Sequence, residues 1–162
     1  MKKFLFSFAT FAFLLCGCGK SDDTCNANAP ATVASATETS YLQNYIAANN
    51  ITAAGKQGMF YTITNPGSGL SPNLCSEITV TYTGILISGT TDGSQFDASA
   101  APVSFTLSQL IDGWKIILPM VKAGGSVNLY IPPSLGYGAQ DRPGLPANSY
   151  LKFTVNLISV KS

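Results

Sequence analysis

The sequence predicts an α+β domain, an antiparallel sheet wrapped on one short helix. Three observations predict it. Residues 78–83, 126–131 and 151–157 alternate apolar and polar side chains with period two, the pattern of half-buried strands. The stretches between such runs are dense in glycine and proline, above all residues 132–150. Beyond residue 58, only the segment around 109–118 reads as a helix, and it ends near Pro119.

Composition narrows the class further. The chain has 162 residues, 46% of them hydrophobic and 10% charged, which suits one domain with its own core. High apolar content and a net charge of +1 exclude whole-chain disorder. Nine basic residues against eight acidic ones leave no excess to neutralise phosphates, so no nucleic-acid surface is expected. The chain has no histidine, which excludes a Ser-His-Asp set and a histidine-ligated zinc. Any catalysis should therefore need little proton transfer, and no pattern indicates a metal or a cofactor.

The first element, residues 1–17, reads as an address rather than as fold. Lys2 and Lys3 precede an apolar run of about twelve residues, too short to span a bilayer, which takes ~20. The run ends in Leu15-Cys16-Gly17-Cys18, and this resembles a bacterial lipoprotein signal. The resemblance implies cleavage before Cys18 and a diacylglycerol on its sulfur, a lipid anchor to a membrane of the cell envelope. An ordinary signal peptide without lipid is the alternative. Loss of Lys2 and Lys3 would leave seven basic residues against eight acidic ones, a net charge of −1. Cys16 would leave with the signal, so Cys25 and Cys75 remain as an even pair in an oxidising compartment. They either form a disulfide or stay as two thiols.

Residues 18–35, rich in Ala, Thr, Asn, Ser and Asp, read as a flexible tether. Residues 36–57 read as an N-terminal helix and linker. Tyr41, Leu42, Tyr45 and Ile46 recur at helical spacing, so a helix is expected over about 37–49, capped by Thr37 or Ser35. Its apolar stripe is a docking face for the main domain, residues 58–162. There strands are expected at 59–63, 78–83 with a continuation at 85–87, 103–107, 126–131 and 151–160, with a turn over 88–94.

Three segments carry the chemistry. They are Val80-Thr81-Tyr82-Thr83-Gly84 followed by Gln95-Phe96-Asp97, then Leu110-Ile111-Asp112-Gly113-Trp114, then Leu135-Gly136-Tyr137-Gly138 with Leu145 and Phe153 beyond. In order and spacing, over residues 58–161, they resemble the FKBP-type peptidyl-prolyl cis-trans isomerases. The resemblance implies a five- to six-stranded antiparallel sheet curled around one short helix. It implies an enzyme acting on proline-containing polypeptides and assisting the folding of exported proteins, with macrolide inhibitors as further ligands. The implied catalytic residues are Asp97, Tyr137, Phe96 and Trp114. Tyr82, Val103, Leu110, Ile111, Leu145 and Phe153 are the implied substrate-binding residues. A non-catalytic chaperone or a peptide-binding surface lipoprotein on the same fold is the alternative. The sequence also departs from the family pattern. The loop between Tyr82 and Phe96 is long, an arginine common after the Phe-Asp pair is absent, and 140–145 is one residue short.

Overall fold

The computed structural model describes residues 27–161. Helix α1 spans Ala36–Ala48. Ser35, not Thr37, caps it. The Ser35 hydroxyl accepts from Glu38 N, and the Glu38 carboxylate accepts from Ser35 N, a reciprocal box that satisfies two orphan donors. Beyond the helix, Asn50 takes a left-handed conformation with φ of 53°, which asparagine tolerates. Leu42 and Tyr45 are fully buried on the helix face that packs against the domain. Leu42→Ala is expected to lower stability by about 2–5 kcal/mol, since it empties a buried site in a small cluster. Denaturant titration checks this; a change below about 1 kcal/mol would mean that α1 is not docked in solution.

Six strands form one antiparallel sheet: β1 Ala54–Lys56, β2 Met59–Asn65, β3 Glu77–Ser88, β4 Thr91–Thr106, β5 Gly125–Ile131 and β6 Tyr150–Lys161. Their spatial order is β1-β2-β5-β6-β3-β4. One face carries the main core, with Val127, Leu129, Ile131, Leu151, Phe153, Val155, Leu157, Ile78 and Val80 all buried. On the other face α1 covers Tyr130 and Ile87. This explains why β5 ends in three consecutive buried residues, Leu129, Tyr130 and Ile131, where strict alternation would leave Tyr130 exposed.

The short helix α2, Asp112–Ile117, lies against the core face, flanked by 3₁₀ turns at Leu107–Gln109 and Leu118–Met120. It is shorter than the helix expected over 109–118, because Leu110 and Ile111 take extended conformations before it. Trp114, Ile116 and Ile117 are buried beneath it.

Strand β4 departs most from expectation. The turn expected over 88–94 closes at Gly89 and Thr90, and one strand runs from Thr91 to Thr106. Its tip is fastened to α1. Gly89 N donates to the Tyr41 hydroxyl at 2.6 Å, Asn49 Nδ2 donates to Thr90 O at 2.9 Å, and the Tyr45 hydroxyl donates to Asp92. Lys152 completes the junction with an ion pair to Asp92 at 2.9 Å. β1, three exposed residues without a periodic signal, is an edge strand that the sequence reading did not anticipate.

Cys75 is disulfide-bonded. Its expected partner Cys25, like Cys18 and the address segment, lies outside the described residues. The far end of the stretch read as a tether is fastened to the domain: Ala34 N donates to Gln57 O, and Gln57 Nε2 donates to the carbonyls of Pro30 and Thr32.

Candidate active site

A cavity of about 130 Å³ opens between the core face of the sheet and α2. Tyr82 comes from β3, Asp97 and Phe105 from β4, Phe153 from β6, Leu110 and Ile111 from the segment leading into α2, and Trp114 from α2 itself. Tyr137 completes the lining from the Gly-rich turn after β5. Pockets for whole small molecules usually measure ~300–1,000 Å³, so this one admits a group about the size of one side chain. It adjoins a more polar groove of about 390 Å³ that shares Leu110, Ile111 and Tyr137 and adds Gln109, Gly136, Gln140 and Arg142. A larger concavity, about 610 Å³, lies between β1, the segment at 27–29 and the back of α2. It has no aromatic wall and none of the segments that carry the chemistry.

The walls are aromatic and mutually perpendicular. Trp114 lies edge-to-face with Phe153 at 5.3 Å and with Tyr82 at 5.6 Å. Phe96 stands edge-to-face with Phe153 at 5.5 Å and with Tyr137 at 6.5 Å. Such pairs are each worth about 0.5–1.5 kcal/mol beyond area burial, so the rings fix one another. Trp114 is buried, and its Nε1–H has no hydrogen-bond partner among the described residues.

The polar groups sit at the rim. The Tyr82 hydroxyl donates to Asp97 Oδ2 at 2.8 Å. Burial first, then this bond and the nearby carboxylate, push the Tyr82 phenol up to about 12. Burial likewise pushes the Tyr137 phenol up; Asp97 adds to this and Arg142 opposes it. Both hydroxyls therefore stay protonated donors at neutral pH. The Arg142 guanidinium lies 4.4 Å above the Tyr137 ring. A phenol pKa raised on folding stabilises the fold below the ordinary value of about 10, and that contribution is lost as pH rises towards 12. An ultraviolet titration should show one phenol ionising near pH 12 that Tyr82→Phe removes; an unchanged titration curve would contradict the bond to Asp97.

Residues 70–158 match the sequence family of FKBP-type peptidyl-prolyl cis-trans isomerases. The chain belongs to this family. Over 105 residues, 64% of the chain, the FKBP sequence is 43% identical to "Peptidyl-prolyl cis-trans isomerase Mip" of Coxiella burnetii, covering 45% of that protein. It is 37% identical over 105 residues, again 64% of the chain and 45% of the relative, to "Outer membrane protein MIP" of Legionella longbeachae. The chain thus spans less than half the length of these curated relatives. The crystal structure of FkpA from Escherichia coli superposes with a TM-score of 0.63 at 33% identity, over 76% of this chain and 62% of that one. The six-stranded α+β fold is the FKBP fold that the resemblance implied.

The structure brings Tyr82, Asp97, Leu110, Ile111, Trp114, Tyr137 and Phe153 of the expected FKBP site to the cavity wall. Three expected residues stand elsewhere. Phe96 is absent from the cavity lining and stands half-buried against Phe153 and Tyr137. Leu145 is buried in the main core, below a backbone bridge to Arg142. Val103 packs on the core opposite Val80, and Phe105 takes the place in the lining, its ring 6.4 Å from Tyr82. The cause is a bulge in β4. Tyr82 pairs with Ser99 and Val80 with Val103, so residues 100–102 stand opposite the single residue Thr81. Phe105 shares a strand face with Val103, and the bulge that decides between them leaves no mark in the sequence.

Gly84 also went unremarked as a part of the site. A Cβ there would lie 2.7 Å from Phe153 Cε1 and 2.8 Å from Phe96 Cζ. The two rings meet over the backbone only because no side chain intervenes.

Proposed function

We propose that this chain accelerates the cis-trans rotation of prolyl peptide bonds in exported polypeptides, held at a membrane of a bacterial cell envelope. The observation that carries the activity is the pairing of a small aromatic cavity with hydroxyl donors and a carboxylate at its rim. The barrier to rotation is about 18–20 kcal/mol because twisting breaks amide resonance. The planar ground-state amide is strongly dipolar, and the twisted amide less so. A dry aromatic surround disfavours the dipolar form more, and only such a difference accelerates the step. The proline ring enters the cavity against Trp114, between Tyr82, Phe105, Ile111 and Phe153.

Ile111 is the N-cap of α2, so its N–H lies outside the helix ladder and is available to a peptide carbonyl. The Tyr137 hydroxyl donates to a second carbonyl and holds the chain in a twisted turn. Asp97, oriented by Tyr82, places negative charge beside the rotating carbonyl carbon. Phe96 sets the tilt of Phe153 and Tyr137. The polar groove beyond Tyr137 receives the residues flanking the proline, and a macrolide would occupy the same cavity and groove. No residue acts as nucleophile or general base.

The envelope reading rests on the address segment. Two or more acyl chains at Cys18 would hold the protein stably on a bilayer, on its periplasmic or outer face. The disulfide at Cys75 supports a bridge to Cys25, which would tie the N-terminal segment to the domain. A coupled assay of proline isomerisation on the purified chain tests the activity. A rate indistinguishable from the uncatalysed one would overturn it and leave a peptide-binding chaperone. Mass spectrometry of the native chain tests the anchor and the disulfide.

A further inference from the structure

Helix α1 lies outside the matched family region, yet its Glu38 reaches the turn that carries Tyr137. Glu38 Oε1 accepts from Ser134 N at 2.9 Å, and Oε2 accepts from the Ser134 hydroxyl at 3.1 Å, across 96 residues of sequence. Oε2 also accepts from Ser35 N and the Ser35 hydroxyl, so the carboxylate is held from both sides. Burial pushes the Glu38 carboxyl up, but these donors outweigh it and the net shift is downward, which favours the carboxylate. Ser134 sits in the 3₁₀ turn Pro133–Leu135. The Pro133 carbonyl accepts from both Gly136 N at 3.0 Å and Gly138 N at 2.9 Å, the two residues that flank Tyr137. On its inner side this turn is fixed by Leu135, which is fully buried. Glu38 secures its outer side.

We propose that Glu38 is a positioning residue for Tyr137. Through Ser134 and the Pro133 carbonyl it fixes the backbone on either side of Tyr137, so α1 belongs to the catalytic apparatus. This rests on the role given to Tyr137 above. Ser35 offers a control, because Ser35→Ala removes the cap of the same helix while leaving both bonds from Glu38 to Ser134.

The test uses the full chain and compares Glu38→Ala, Glu38→Gln, Ser35→Ala, Tyr137→Phe and the double variant Glu38→Ala/Tyr137→Phe. A net hydrogen bond sets the scale, so Glu38→Ala should lower kcat/KM by about three- to tenfold and Tyr137→Phe by a similar factor. The double variant should lose less than about twofold beyond Tyr137→Phe alone, because the misplaced hydroxyl has nothing more to lose. Glu38→Gln, which keeps an acceptor for Ser134, should recover most of the rate. Nitrogen-proton spectra should show the Gly136 and Gly138 amides shifting in Glu38→Ala and staying in place in Ser35→Ala. Losses that multiply in the double variant, or amides that stay in place in Glu38→Ala, would overturn the proposal. An inactive parent chain would overturn the function above instead, and the amide shifts would still decide whether Glu38 holds the turn.

Discussion

Asp97→Ala in the purified chain is expected to lower kcat/KM by about ten- to a hundredfold while the fold stays intact. The size follows from losing a charge-assisted hydrogen bond, worth about 1.5–3 kcal/mol. Asp97 is exposed at the rim, and its carboxylate accepts a hydrogen bond from the Tyr82 hydroxyl. Its removal therefore leaves no cavity in the core, and the melting temperature should move by less than about 3 °C. Asp97→Asn separates the two parts of the role. It can still accept from Tyr82 and so keeps the orientation, but it removes the negative charge from the rotating carbonyl. Activity of Asp97→Asn close to the parent would make orientation the dominant part. Full activity in Asp97→Ala would remove Asp97 from the mechanism altogether.

The second large effect is expected at a residue that never touches substrate. Gly84→Ala places a methyl group 2.7 Å from Phe153 Cε1 and 2.8 Å from Phe96 Cζ, closer than carbon atoms approach. Both rings must tilt, and Phe153 is the ring against which Trp114 stands at 5.3 Å. Overpacking of this kind destabilises by about 1–3 kcal/mol. Here it also deforms the wall of a cavity of only about 130 Å³. We expect kcat/KM to fall about tenfold or more and the melting temperature by roughly 5 °C. Thermal melts and the coupled assay read the two effects separately. A variant with parental activity would mean that the rings can shift without changing the cavity.

What the sequence revealed depended on where burial left a pattern. β5 and β6 bury alternate residues on the core face, so their period was plain. Helix α1 was legible because Tyr41, Leu42, Tyr45 and Ile46 recur at helical spacing, although which residue caps it was not. β4 was not legible over 91–102. It is an edge strand with few buried residues there, and its Ala, Ser and Gly side chains carry no alternation. It is a strand because β3 pairs with it. The same physics governs the site. Tyr82, Trp114, Tyr137 and Phe153 stand at fixed intervals in recognisable segments and could be named in advance. The exchange of Val103 for Phe105 could not, because it follows from a bulge whose position only the register reveals. Glu38 stands in the first turn of α1, where it closes the capping box with Ser35. Its second partnership, with Ser134, exists only after the chain has folded back on itself.

The strand order has a kinetic consequence. β6, the last strand of the sequence, does not add to an edge; it inserts between β5 and β3 at the centre of the sheet. Its register ties Ile78 to Val160 and Ile87 to Tyr150, so β3, once paired with β4, must wait for its second partner some sixty to eighty residues downstream. Contacts this distant close slowly, because the loop entropy is lost before the contact is gained. Until β6 arrives, the pocket lacks Phe153, the ring that stands edge-to-face with both Trp114 and Phe96. The pocket closes only when β6 has taken its place at the centre of the sheet.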